Sequence, residues 1–236
     1  MGSVIGKTLS KRSGLSPSYQ ILGTGAGYEL RAYSSYVVAE VEGNKVPGQE
    51  NDCFRVLAKY IGVFGDPANK HAGGESGEHI SMTAPVVTRR SSTKTGAKIS
   101  MTAPVVTQAG SEGTSDSPAV MQFIMPQKYK SVSDLPAPTD SRVSLHEVPE
   151  QTFLVWKFSG NMGKDADATA ERVRKVAEEA VKNDNGGVFA EYVGPDAKYL
   201  VARYNPPWTI PFLKTNELWF PLPLSREEIK AKLPSA

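Results

Sequence analysis

Residues 49–65, QENDCFRVLAKYIGVFG, combine a helical repeat with more apolar surface than an ordinary helix carries. On a wheel at about 100° per residue, Arg55 and Lys59 fall together on one side, while Val56, Tyr60, Leu57, Ile61, Phe54 and Ala58 sweep an apolar arc of roughly 200°. A helix lying on a core needs little more than about 100° of apolar stripe. The rest of the chain must therefore cover this helix on two sides. Two coverings are open. The helix is sunk between two protein layers, or it has one face on a sheet and the other lining an apolar groove for a flat ligand. In the second case Phe54, Leu57, Ala58 and Ile61 form the groove. Arg55 and Lys59 then border it, where they can meet carboxylates.

The 236 residues suffice for one large domain or two small ones, and 39 % hydrophobic with 22 % charged residues is an ordinary globular composition. A net charge of +2 with no basic stripe argues against nucleic acid as a partner. No apolar run approaches the roughly 18 residues that span a bilayer, so stable membrane insertion is not expected. Cys53 is the only cysteine, which excludes an internal disulfide and suits a reducing, cytoplasmic location. The first residues, MGSVIGKTLSKRSG, lack the apolar core of a signal peptide. They also fall one residue short of a phosphate loop between Gly2 and Gly6, and they carry Gly6 where a myristoylation signal wants Ser or Thr.

Strands are read at Tyr19–Leu22, at YELRAY (28–33) and at YVVAEVE (36–42), the last rich in β-branched residues. The glycines at 23, 25 and 27 form a turn between the first two, since Tyr28 stands where a dinucleotide fingerprint needs glycine. After the greasy helix the sequence repeats itself. Residues 80–88 and 99–107 both read ISMTAPVVT, preceded by His79 and Lys98 and separated by a Ser/Thr/Lys/Gly linker. The alternation puts Ile80, Met82, Ala84 and Val86 on one strand face, and Pro85 confines the segment to an edge or ends its pairing there. The two copies are expected to compete for one sheet position, because nothing in their side chains tells them apart. Further strands are read at 120–125, 142–148, 153–159, 199–204 and 218–220. A second helix with a narrow apolar stripe spans 165–182, and a capping box of Ser225 and Glu228 starts a short last helix.

The order is two β-β-α-β-β halves, neither of which can bury its sheet alone. The expected fold is α+β: a distorted, antiparallel, eight-stranded barrel flanked by two main helices. Residues 1–18 are expected to be a flexible lead, 19–224 one domain with mobile loops at 65–79, 89–98 and 108–119, and 225–236 a short helix and tail.

Catalytic chemistry is hard to find. His71, His79 and His146 lack metal-ligand spacing, and no G-x-S-x-G motif occurs. Cys53 has no base nearby in sequence and reads as a small hydrophobe. The expectation is a protein that is not an enzyme. Haem needs one axial ligand or none, so His79 and His146 remain candidates.

Seven short motifs then occur in a familiar order: Tyr28–Tyr33, Leu57–Gly62, Ile80–Val86, Phe123–Pro126, Phe158–Gly160, Ala202–Trp208 (ARYNPPW) and Asn216-Glu217. Together they resemble the SOUL haem-binding family across about Tyr19 to Phe220, most closely its plant-type cytosolic members. The resemblance implies a carrier or buffer for tetrapyrroles, with haem b or protoporphyrin IX as a reversible ligand. The ligand would be held by apolar packing on the first helix and on a loop carrying Pro207 and Trp208. Haem-metabolism proteins are the implied partners. Two other readings stay open: an interaction module whose greasy helix docks a protein, and a haem-modifying enzyme. His79 departs from the family pattern, where lysine is common.

Overall fold

The computed structural model describes residues 17–43, 50–71, 74, 76–89, 120–162, 166–205 and 208–233. The elements in chain order are β1 (Tyr19–Thr24), β2 (Tyr28–Tyr33), β3 (Tyr36–Glu42), α1 (Glu50–Tyr60), β4 (Asn69–Lys70), β5 (Val86–Arg89), β6 (Val120–Ile124), β7 (Ala137–Pro138), β8 (Ser144–Val148), β9 (Gln151–Ser159), α2 (Ala166–Lys182), β10 (Leu200–Arg203), β11 (Thr215–Leu222) and α3 (Arg226–Lys232).

Nine strands form one antiparallel sheet in the order β1-β2-β9-β11-β10-β5-β6-β3-β8, and β4 pairs with β7 in a separate small ribbon. The expected closed eight-stranded barrel is corrected to a curled half-barrel. Among the described residues, the end strands β1 and β8 pair on one side only, with β2 and β3, and do not pair with each other. The two halves interlock. Each half sends a strand to the other, β2 of the first pairing with β9 and β8 of the second pairing with β3, and β5 joins β10 at the centre. This is why neither half buries its sheet alone.

Residues paired across strands point to the same face. The row Val41–Met121–Thr88–Val201–Leu218 crosses from β3 to β11. Val41 and Met121 pack in the cluster around α1, and Val201 and Leu218 in the cluster around α2. Both helices therefore lie on one face, with β5 and β10 between them. The opposite face carries a third cluster built on Tyr33, Phe153 and Trp219, whose rings stack at 4.7–5.7 Å.

Helix α1 stops at Tyr60, short of the Gly65 expected from periodicity. Gly62 takes φ 85°, and the N–H groups of Gly62 and Val63 donate to the carbonyls of Lys59 and Ala58. This Schellman closure satisfies carbonyls that the helix leaves open, and it depends on a residue without Cβ. Residues 80–85 are also corrected. They form no strand; Ile80 is buried while Met82 is exposed, so the expected shared face does not exist. Only residues 86–89 enter the sheet, past Pro85, which has no N–H to give a ladder. The second ISMTAPVVT copy lies outside the described residues.

Candidate functional site

The wide apolar arc of α1 is covered by protein on both sides, so the first of the two open readings holds. Leu57, Ala58, Tyr60 and Ile61 are buried. On one side they meet the sheet through Ala39, Val41, Met121 and Phe123, in the cluster that Ile80, Tyr129, Leu135 and Val143 also join from loops. The Tyr60 hydroxyl donates to the carbonyl of Pro136 at 2.9 Å. Leu57, Ala58 and Ile61 therefore line no open groove. They are core residues, because the chain after β6 and the segment before β5 supply the second layer that the sequence left unspecified. Phe54 is half-buried, with its ring 5.4 Å from that of Phe123. Arg55 and Lys59 are exposed, and Arg55 lies 3.7 Å from Asp52.

The segment leading into β5 is tied down along its length. The N–H of Ile80 donates to the carbonyl of Ile61 at 3.0 Å, and the Thr83 hydroxyl donates to the carbonyl of Ile124. Buried Asn69 donates to the carbonyls of Tyr60 and Glu78 and accepts from the N–H of Glu78. The Glu78 carboxylate meets Lys128 Nζ and the Tyr129 hydroxyl, both at 2.7 Å, and His71 Nε2 at 2.8 Å. The hydrogen bonds from Lys128 and Tyr129, outweighing partial desolvation, hold this carboxyl at about 2.

One end of the sheet gathers exposed apolar groups. Phe123, Val86 and Arg203 are paired side by side across β6, β5 and β10. Two strand spacings, about 10 Å, thus separate the residue under Phe54 from the end of β10. The loop leaving β10 there carries Trp208, 84 % exposed, and Phe212, 71 % exposed, with Ile210 and Leu213. The segment entering β5 at the same end exposes Met82. The turn closing α1, which Ile80 touches, exposes Val63 and Phe64. Pro207, with Pro206, lies outside the described residues. Phe54 packs on the edge of the cluster that holds Leu57, Ala58 and Ile61, while the Trp208 loop leaves the sheet two strands away from Phe123. Phe64, Phe212 and Leu213 were not among the expected site residues. The signal for Phe212 and Leu213 was the apolar run in WTIPFL, next to prolines that mark a loop; Phe64 lay in the run read as helix up to Gly65.

The donor set suits a flat, apolar ligand with acidic edges. Arg203 at the end of β10 and Lys214 before β11 supply positive charge at this end, and Lys214 Nζ also bonds Asn161 at 2.7 Å, whereas on α1 Arg55 lies beside Asp52 and Lys59 acts on Asp140. His71 is engaged by Glu78, and His146 Nε2 lies 3.2 Å from Glu40 on β3. Burial pushes the Glu40 carboxyl up, but hydrogen bonds from His146 and Gln122 prevail and hold it below its ordinary value. His79 is exposed at the turn after α1, against Gly62. Among the described residues, no group of three or more metal-ligating side chains occurs, and no helix is long and apolar enough to cross a membrane.

Residues 15–95 and 90–221 match the family described as SOUL heme-binding protein. The chain belongs to the SOUL family. A comparison with curated proteins yields no match. Among solved structures, this SOUL chain is similar to the C-terminal domain of EcmrR, at 11 % identity over 86 % of this chain and 96 % of that one, with a TM-score of 0.42. It is also similar to a hydrolase from Listeria innocua, at 12 % identity over 85 % and 94 % of the two chains and a TM-score of 0.42. A transcription regulation protein from Staphylococcus aureus matches at 11 % identity over 84 % and 98 %, with a TM-score of 0.37. Likenesses this distant carry no conclusion about what a SOUL protein does.

Proposed function

We propose that this SOUL protein binds haem or protoporphyrin reversibly at the apolar end of its sheet and serves as a tetrapyrrole carrier or buffer in the cytoplasm, without catalysis. One observation carries the placement. Seven of the nine exposed large hydrophobics among the described residues come from three segments: the turn closing α1, the segment entering β5 and the loop leaving β10. An exposed apolar patch of this kind marks a binding surface. Trp208 and Phe212 offer flat rings for a macrocycle face, and Phe54 closes the side toward α1. Arg55, Lys59, Arg203 and Lys214 stand where propionates are met. Exposed ion pairs contribute only about 0–1 kcal/mol each. Apolar burial at roughly 25 cal/mol per Å² therefore supplies most of the affinity.

The test is a Soret titration of the parent, of Trp208→Ala with Phe212→Ala, and of Arg55→Ala with Lys59→Ala. Both pairs are solvent-facing and should leave circular dichroism and melting unchanged. The aromatic pair should weaken haem binding at least tenfold, and the cation pair only a few-fold. Parent-like affinity in the aromatic variant would move the ligand elsewhere and leave this patch to a protein partner.

A further inference from the structure

We propose that the β5 position can be filled by either of two identical stretches of the chain, residues 80–88 or residues 99–107, so that the protein has two interchangeable registers. The inference is independent of the ligand. Nearly every contact that seats the first copy lies inside the nine repeated residues. Ile80 enters the core around α1 and bonds Ile61, Thr83 bonds the carbonyl of Ile124, and Pro85 is buried. Val86, Val87 and Thr88 complete the ladders to β6 and β10. Each has its twin nineteen residues later, so the slot itself cannot discriminate between the copies.

The connections permit the exchange. In the observed register 30 residues join Arg89 to Val120; with the second copy in place, 11 residues join Gln108 to Val120. Adjacent antiparallel strands need far less, since two residues can turn a hairpin. On the other side the path from Ile61 lengthens from 18 residues to 37. Closure entropy grows only logarithmically with length, so one lengthening and one shortening nearly cancel.

What selects the first copy lies just outside the repeat. The Glu78 carboxylate holds Lys128, Tyr129 and His71, and the equivalent residue before the second copy is Ala97, which has no carboxylate. The exchange also puts Lys98 in place of His79 beside Gly62, and Gln108 in place of Arg89. The Glu78 cluster is thus the bias between registers, and loosening it changes the charge presented at the end of α1.

The test uses redundancy. Val87 is buried in the face opposite the helices, where an aspartate is not tolerated. Val87→Asp alone should keep the parent's oligomeric state and a cooperative melt, because the second copy replaces the first. Val106→Asp alone should match the parent. The double variant should lose the cooperative melt. Glu78→Gln should lower the melting temperature in the Val106→Asp background and leave it unmoved in the Val87→Asp background, where the cluster is not formed. Val87→Asp failing to fold as the double variant does would overturn the exchange. A Val87→Asp variant that associates to a higher order than the parent would overturn its intramolecular form, and equal shifts from Glu78→Gln in both backgrounds would overturn the selector.

Discussion

Glu217 is buried, yet its carboxylate collects four donors. Arg31 reaches both oxygens at 3.1 Å, Tyr204 donates at 2.6 Å and the Trp219 ring N–H at 2.7 Å. Arg31 also bonds Glu29 and the Tyr33 hydroxyl and lies 4.4 Å over the Tyr19 ring. Burial disfavours its charge, but Tyr33 and Glu217 prevail and hold it firmly protonated. Removing one partner of such a pair strands the other's charge. Glu217→Ala should therefore destabilise by about 3–5 kcal/mol in urea denaturation. Arg31→Met with Glu217→Leu should cost clearly less; equal losses would show that the pair acts through packing alone. Glu78 sets a pH window of its own. Its folded-state pKa of about 2 lies below the ordinary 4.5, so its stabilisation is fully present above about pH 4.5 and is lost as pH falls toward 2. The melting difference between parent and Glu78→Gln should be constant from pH 5 to 7 and shrink toward zero near pH 2–3. A difference that persists at pH 2 would assign the effect to shape and not to charge.

At the scale of the element, α1 behaves as a core helix with a polar rim. Leu57 is fully buried, so Leu57→Ala should cost about 2–5 kcal/mol of stability. Trp208→Ala, on a solvent-facing loop, should stay within about 0.5 kcal/mol. A Leu57→Asp change, which the groove reading would treat as a clean binding lesion, is expected to unfold the protein. Comparing urea midpoints of Leu57→Ala and Trp208→Ala separates stability from binding; the opposite ranking would reopen the groove on α1. Gly62 is the second sensitive point. Its positive φ suits glycine, and an added Cβ would come within 2.6 Å of His79 Nδ1. Gly62→Ala should destabilise by at least about 1 kcal/mol.

For the whole molecule, the candidate site lacks a histidine on α1 or among the described residues of the Trp208 loop. Iron-free protoporphyrin IX should then bind within about tenfold of haem, a difference under roughly 1.4 kcal/mol. Parallel titrations check this; a thousandfold preference for haem, abolished by replacing His79, would place an axial ligand at the end of α1.

Local pattern determined much of this protein. The β-branched run of β3, the span of α2 and the capping box of Ser225 and Glu228 were legible because each depends on neighbours within a few residues, although α2 buries Ala170, Arg174, Ala177 and Val181 and leaves Val176 exposed. The surplus apolar arc of α1 was also legible as surface that something must cover. What covers it was not, because Ile80, Tyr129, Leu135 and Val143 come from segments distant in sequence and unremarkable alone. Only the tertiary structure decided that the sheet is a curled half-barrel, that β2 and β8 cross between halves, and that Trp208, Phe64 and Met82 are left exposed. Strand order and the company of a side chain arise from long-range pairing, on which a local repeat of two or 3.6 residues is silent.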